Sequence, residues 1–410
     1  MPRCVTVALR TLNPSVQVRI LARQPQQHTG RCPNWRTTTD WNAVSAQAGT
    51  VCGTVKQLLR CAAFFVVKNM AILDIIVLAA GEGTRMQSAL PKVLHQVGGR
   101  SMLGHVLAVA DALSAARTVV VCAADTVAQI SAAFGSRYEY VVQHERLGTG
   151  HAVMAARDAL ASAPGDVLVL YADSPLIQVA TARTLVDGMR QRGALVGLLS
   201  FYAQPLVGYG RVLRGADGHV LALVEERNAT PAQLTISEGN SGFMVFDGGW
   251  LWSRISDIPR NPVKGEYYLT DLVAMAVEER GPGAVIAVAA ADARDAWGAN
   301  DRIQLADAEC VLRERTLATL MRAGVRVIDP ATTYVDVTVS VGRDSTLLPG
   351  TILRGTTTVG TGCEIGPYST IIDSQIGDGA HVTYALVEGS EVATGRTVGP
   401  FAHVRGGTQE

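Results

Sequence analysis

The chain has 410 residues, of which 48% are hydrophobic and seven are cysteine, with 36 Lys and Arg balancing 36 Asp and Glu. That length exceeds what one hydrophobic core usually supports, so two or more domains are expected, and no apolar run reaches the ~18–20 residues of a bilayer-crossing helix. The zero net charge hides an asymmetry: residues 1–69 hold nine basic residues and one acid, Asp40, leaving 27 basic and 35 acidic groups in a body whose net negative charge argues against a broad nucleic-acid surface.

Residues 1–69 lack sustained periodicity, and Pro14, Pro25 and Pro33 interrupt any amphipathic helix. We expect poor order there, and read the segment as upstream sequence translated ahead of a start at Met70, with an organellar transit segment as the alternative. Cys4, Cys32, Cys52 and Cys61 match no zinc spacing. With Cys122, Cys310 and Cys363 they read as reduced thiols of a cytoplasmic protein.

From Met70 short apolar runs alternate with helical patterns. Strands are expected at 74–80, 118–122, 139–142, 167–171 and 194–201, and helices near 102–115, 126–134, 150–161 and 181–192, which predicts an α/β domain with a mostly parallel sheet over 70–299. The first strand runs into Gly81-Glu82-Gly83-Thr84-Arg85-Met86, and Pro91-Lys92 follows. Gly81 and Gly83 let successive amides point at one anion, and Arg85 and Lys92 answer its charge, as a nucleoside triphosphate requires. Met86 stands where a dinucleotide fingerprint needs its third glycine, and no Gly-Lys-Ser/Thr completes a Walker loop. The alternative is an ordinary glycine turn with surface charges. Asp173 ends the run Val-Leu-Val-Leu-Tyr-Ala-Asp, where a carboxylate at a strand tip suits Mg²⁺ or, read plainly, starts the turn before Pro175.

Apolar residues from Ile303 to Met321 mark a connector helix over 300–323, stopped by Gly324. Beyond it Val335, Val341, Leu347, Leu353, Val359, Ile365 and Ile371 recur at a stride of six. The register then slips and resumes through Ile376, Val382, Val387, Val392, Val398 and Val404. This period predicts a parallel β-helix over 324–410.

The stretch from Val77 to His95 resembles the signature of sugar-nucleotide pyrophosphorylases, and within them the bacterial N-acetylglucosamine-1-phosphate uridyltransferases that carry a second, acetyltransferase half. The resemblance continues through Gln143, Leu147-Gly148-Thr149-Gly150-His151-Ala152, Tyr171-Ala172-Asp173, Gly208-Tyr209-Gly210-Arg211, Val224-Glu225, Asn240-Ser241-Gly242, Gly265-Glu266-Tyr267-Tyr268-Leu269-Thr270-Asp271 and Gly298-Ala299-Asn300. It implies a Rossmann-like nucleotidyltransferase domain followed by a left-handed β-helix. It implies Mg²⁺ on Asp173 and Asn300, with Arg85 and Lys92 as catalytic cations. Leu78, Ala79, Ala80, Gly81, Gly83, Lys92, Gln143, Gly148, Thr149, Tyr171 and Asp173 would bind the nucleotide. Gly210, Glu225, Asn240 and Asn300 would hold the sugar phosphate.

Read without the resemblance, Gln143 is a strand-end polar group, Gly210 a hairpin glycine, Glu225 a solvated residue and Asn240 a turn former. His95, His105, His144 and His151 lack a nucleophile motif and are expected to be structural or solvent-facing. Ala172 departs from the usual glycine before the aspartate, which questions how closely substrate approaches that strand.

The partners implied are UTP and N-acetylglucosamine-1-phosphate, with UDP-N-acetylglucosamine feeding peptidoglycan and lipopolysaccharide synthesis. A relative using another base or sugar, or a weakened fragment serving assembly, are the alternatives. The family's β-helix trimerises and acetylates glucosamine-1-phosphate from acetyl-CoA. Arg405 matches the start of that acetyltransferase site, Gly406 replaces its usual proline, and the chain ends at Glu410, so a truncated repeat domain without acetyl transfer is expected.

Overall fold

A computed structural model describes residues 7–10, 19–22, 72–162 and 165–409. The chain divides into two compact units, Met1–Phe64 and Phe65–Glu410. In the first, Val7–Arg10 and Arg19–Ala22 form an antiparallel pair. The expectations for the rest of that extension, its four cysteines included, lie outside the described residues.

In the second unit the run Leu73–Ala79 is the central strand of a nine-stranded sheet. It pairs in parallel with Arg117–Ala123 on one side and Asp166–Tyr171 on the other, and Glu139–Gln143 extends the sheet beyond Arg117–Ala123. Uninterrupted apolar runs suit these strands because both faces are buried. Ile76, Val119, Val121, Val167 and Val169 belong to one core cluster, and Ile75, Val77, Val120, Leu168 and Leu170 to the other. Successive side chains point to opposite faces, so each run supplies both cores. Helices Met102–Ala112, Val127–Phe134, Thr149–Ala155, Arg157–Leu160 and Val179–Arg192 connect the strands. The single helix expected near 150–161 is thus two short ones.

The parallel arrangement is broken by Glu238–Phe246, which runs against its neighbours. Met244, Val245 and Phe246 pair with Val169, Leu168 and Val167. On its other side the same strand pairs with Val196–Tyr202 from Phe246 to Glu238, with a register irregularity between Asn240 and Met244. Val285–Ala289 adds a parallel strand beside Val196–Tyr202, and the hairpin Arg211–Arg214 with Val220–Val224 attaches through Gly239.

Helix Arg302–Arg322 follows, with the Asp301 carboxylate accepting from the Ile303 and Gln304 amides at 3.0 and 2.9 Å. Its Arg315 donates to the buried Asp295 carboxylate at 2.6 Å, which ties it to the α/β domain. Leu317 and Leu320 pack in the β-helix core and close that end of the solenoid. Gly98, in the hairpin after Lys92, accepts from the Val337 amide at 3.0 Å, so the first coil also touches the α/β domain.

The hexapeptide stride becomes three short parallel strands per coil. Val335, Leu353, Ile371, Val387 and Val404 stand in one ladder, and all are buried. Buried hydroxyls at the corners bond to backbone: Ser345 donates to Gly360 and Thr351 to Ile365, at 2.8 and 3.0 Å. Partners in the early coils lie 18 residues apart, as for Cys363 with Ser345, then 17 and 16, as for Thr356 with Asp373 and Ser390 with Ser374. These shortened coils are the register slip in the sequence. Among the described residues no helix is long and apolar enough to cross a membrane.

Ile371 has no solvent exposure and lies mid-ladder. Ile371→Ala should therefore destabilise the β-helix by about 2–5 kcal/mol. Urea titration of the β-helix unfolding transition measures this.

Candidate active site

The carboxyl ends of the central strands open onto a cleft of about 390 Å³. Leu78, Ala79, Ala80, Gly81, Lys92, Gln143, Gly148, Thr149, Tyr171 and Asp173 line it, together with Glu82, Val93, Arg146, Ala152 and Glu266. Of the residues expected to bind nucleotide, Gly83 alone is missing from the lining. Its place is behind the lysine. Gly83 has φ +65°, and a Cβ there would fall 2.6 Å from the Lys92 Cβ, so the glycine admits the lysine stem. Gly81 differs, since a Cβ there would meet nothing within 4 Å and would project into open space. Nor does its backbone take the left-handed conformation.

Two three-residue turns present the cations. Thr84–Met86 carries Arg85, and Lys92–Leu94, entered from Pro91, carries Lys92. The Lys92 Nζ donates to Asp173 Oδ2 at 2.5 Å and to Asn300 Oδ1 at 2.9 Å. Arg85 donates to the same Asn300 oxygen at 2.9 Å. The Lys92 side chain keeps 10% of its exposure and that of Asp173 28%, so this pair is only partly screened by solvent.

Two hard oxygens, from a strand end and from the loop before the connector helix, thus converge on one point. This donor set fits Mg²⁺, which takes few protein ligands and leaves positions for water and phosphate. Among the described residues no group of three or more His, Cys, Asp or Glu could hold a metal.

Around the cleft, Gln143 donates to Gly148 O at 3.1 Å and lies 3.1 Å from His151 Nδ1. The Gly150 amide donates to Tyr267 O and the Leu269 amide to Thr149 Oγ1, at 2.8 and 3.1 Å, so the Gly148–Thr149 turn is fixed by the segment after Gly265. Loss of solvent pushes the Tyr171 phenol well above its ordinary range, with the Asp173 and Glu225 charges adding to the shift. That phenol therefore stays protonated beside two carboxylates. Asp271 is raised by burial and then by Glu225.

Of the four residues expected to hold sugar phosphate, Gly210, Glu225 and Asn240 lie together, whereas Asn300 bonds Lys92 and Arg85. The Asn240 amide donates to Gly210 O at 2.8 Å, and a Cβ at Gly210 would lie 3.8 Å from Glu225 Cδ. Gly210 leads directly into the hairpin strand Arg211–Arg214, in accord with its plain reading. Ala172 is fully buried in the core cluster with Leu168 and Leu170 and is absent from the cleft lining, so its methyl takes no space there. His105 is structural, bonding Val97 O at 2.8 Å. Arg405 lies in the last ladder, opposite Glu388.

Sequence reasoning gave no role to Arg146, which donates to Ala80 O at 3.0 Å and to both Asp125 oxygens. Its signal is a lone cation two residues before the Gly148 turn. Glu266 was visible in a quoted motif but without a place.

The MobA-like NTP transferase domain matches residues 75–239. Bifunctional protein GlmU of an Exiguobacterium species is 42% identical over 331 residues, spanning 80% of this chain and 72% of that one. The chain belongs to the GlmU family. Family members from Corynebacterium efficiens and Rhodococcus opacus are 41% and 43% identical, each spanning 82% of this chain and 70% and 68% of their own. A solved structure described as a glucose-1-phosphate thymidylyltransferase from Bacillus anthracis, 17% identical, overlays 59% of this chain and 96% of its own with a TM-score of 0.50, and bears on the fold alone. Membership of the GlmU family, with its NTP transferase domain, makes this a sugar-1-phosphate nucleotidyltransferase, and implies a divalent metal.

If Gly83 exists to admit the lysine stem, Gly83→Ala should displace the Lys92 ammonium and lower turnover on the order of 10²-fold. Steady-state pyrophosphate release, with circular dichroism showing an intact fold, checks it.

Proposed function

We propose that the chain transfers UMP from UTP to N-acetylglucosamine-1-phosphate, giving UDP-N-acetylglucosamine and pyrophosphate. The observation that carries this reading is the meeting of Lys92, Arg85, Asp173 and Asn300 at the mouth of one cleft. An oxygen of the sugar phosphate attacks the α-phosphorus in line, a new P–O bond forms, and the bond to the β-phosphate bridging oxygen breaks with its electron pair leaving on pyrophosphate. Such a transfer is catalysed by positioning and charge stabilisation, with no covalent enzyme intermediate.

Lys92 and Arg85 supply positive charge to the phosphoryl oxygens, and the amides around Gly81 cradle the triphosphate. Gln143 and the Gly148–Thr149 turn face the base with neutral donors and acceptors. Glu225 accepts from a sugar hydroxyl. Asn240 commits its side-chain oxygen to the Gly242 amide at 3.1 Å, which leaves its NH₂ for the acceptor sugar. Asp173 and Asn300 would hold Mg²⁺, which when bound polarises the phosphates as a Lewis acid.

Lys92→Ala should lose about 10²-fold or more in turnover while the fold persists. Pyrophosphate release is measured across a panel of nucleoside triphosphates and sugar 1-phosphates. A variant as active as the parent, or a parent that prefers another pair, would refute the respective part of this reading.

A further inference from the structure

Arg302 opens the connector helix two residues after Asn300 and reaches both cation-bearing turns of the signature loop. Its Nε donates to Met86 O at 3.2 Å, in the turn that carries Arg85. Its NH1 lies 3.4 Å from the Nδ1 of His95, whose own amide closes the Lys92 turn by donating to Lys92 O at 3.2 Å. Burial lowers the His95 pKa and the Arg302 charge lowers it further, against a backbone hydrogen bond with Leu90, which favours the uncharged ring; the contact is a hydrogen bond in the tautomer protonated at Nε2. The Met86 side chain, 1% exposed, packs with Ala308, Val311 and Leu312 of the same helix. Two turns along, the Glu309 carboxylate accepts the Gly98 amide at 2.7 Å.

We propose that Arg302 is a positioning residue for nucleotidyl transfer: one guanidinium spans the Arg85 turn and the Lys92 turn and fixes their spacing, while the Asn300 side-chain oxygen accepts from both cations. A planar fork with several donors can bridge two acceptors at a set separation. A lysine ammonium at the same place is a point charge on a flexible stem and holds one acceptor at a time. The two groups that Arg302 meets, Met86 O and His95 Nδ1, belong to the turns that carry Arg85 and Lys92, and it bonds neither Glu225 nor Asn240, so its effect should fall on the reacting phosphates. The assignment rests on the transfer reaction proposed above.

The test uses the full chain and the variants Arg302→Met, which keeps an apolar stem, and Arg302→Lys, which keeps the charge. Both should lower kcat on the order of 10-fold or more, because an ångström-scale shift of a catalytic group has effects of that size, while the KM for sugar phosphate stays within about twofold. Amide hydrogen exchange should accelerate over residues 84–95 in Arg302→Met, with the thermal midpoint close to the parent's. Parental kcat in both variants would overturn the proposal. So would a loss matched by a fall in folded protein, with kcat per folded molecule unchanged. Should the parent release no pyrophosphate with any substrate pair, the transfer reading fails by itself. Exchange then decides the positioning role, and unchanged protection of 84–95 in Arg302→Met would end it.

Discussion

The site depends on one ammonium held by two oxygens that the sequence keeps far apart. Lys92 reaches Asp173 across 81 residues and Asn300 across 208. The first contact requires the central strand to lie beside Asp166–Tyr171, and the second requires the segment leading into the connector helix to lie against the Lys92 turn. Charged groups in a cleft with restricted solvent interact more strongly than on an open surface, so the sheet's two buried faces indirectly set the strength of the site. The arrangement follows the rule that open α/β sheets bind ligands beyond the carboxyl ends of their strands.

Much of this was legible in the residues because local pattern and tertiary role coincide. Continuous apolar runs marked the five strands expected in the first half of the α/β domain, with ends moved by a residue or two, and the stride of six marked the β-helix. The strands Glu238–Phe246 and Val285–Ala289 were not anticipated, and the hairpin Arg211–Val224 only as the plain reading of Gly210. Glu238-Gly239-Asn240-Ser241-Gly242 carries two glycines and little alternation, and it becomes strand because Ser200–Tyr202 pairs with residues 238–240 on one side and Arg211 with Gly239 on the other. The sheet was therefore expected to be more uniformly parallel than it is.

Within the site, residues contributed by adjacent motifs were readable, whereas those acting across the fold were not. Gly83 was read as an amide donor, but its contact with the Lys92 stem gives a different reason for the same residue. Arg302 offers no local sign of its reach to Met86 and His95, because helix register and the docking of Met86 bring them together. A tertiary contact of this kind has no periodic signature.

The antiparallel strand Glu238–Phe246 has one more implication. It shares only Met244, Val245 and Phe246 with the half of the sheet that carries Asp173, yet follows Val196–Tyr202 back past Asn240. Asn240 is thereby moored to the distal half of the sheet, beyond a seam three residue pairs long. If Asn240 holds the acceptor as proposed, its separation from Asp173 is set by where that seam ends.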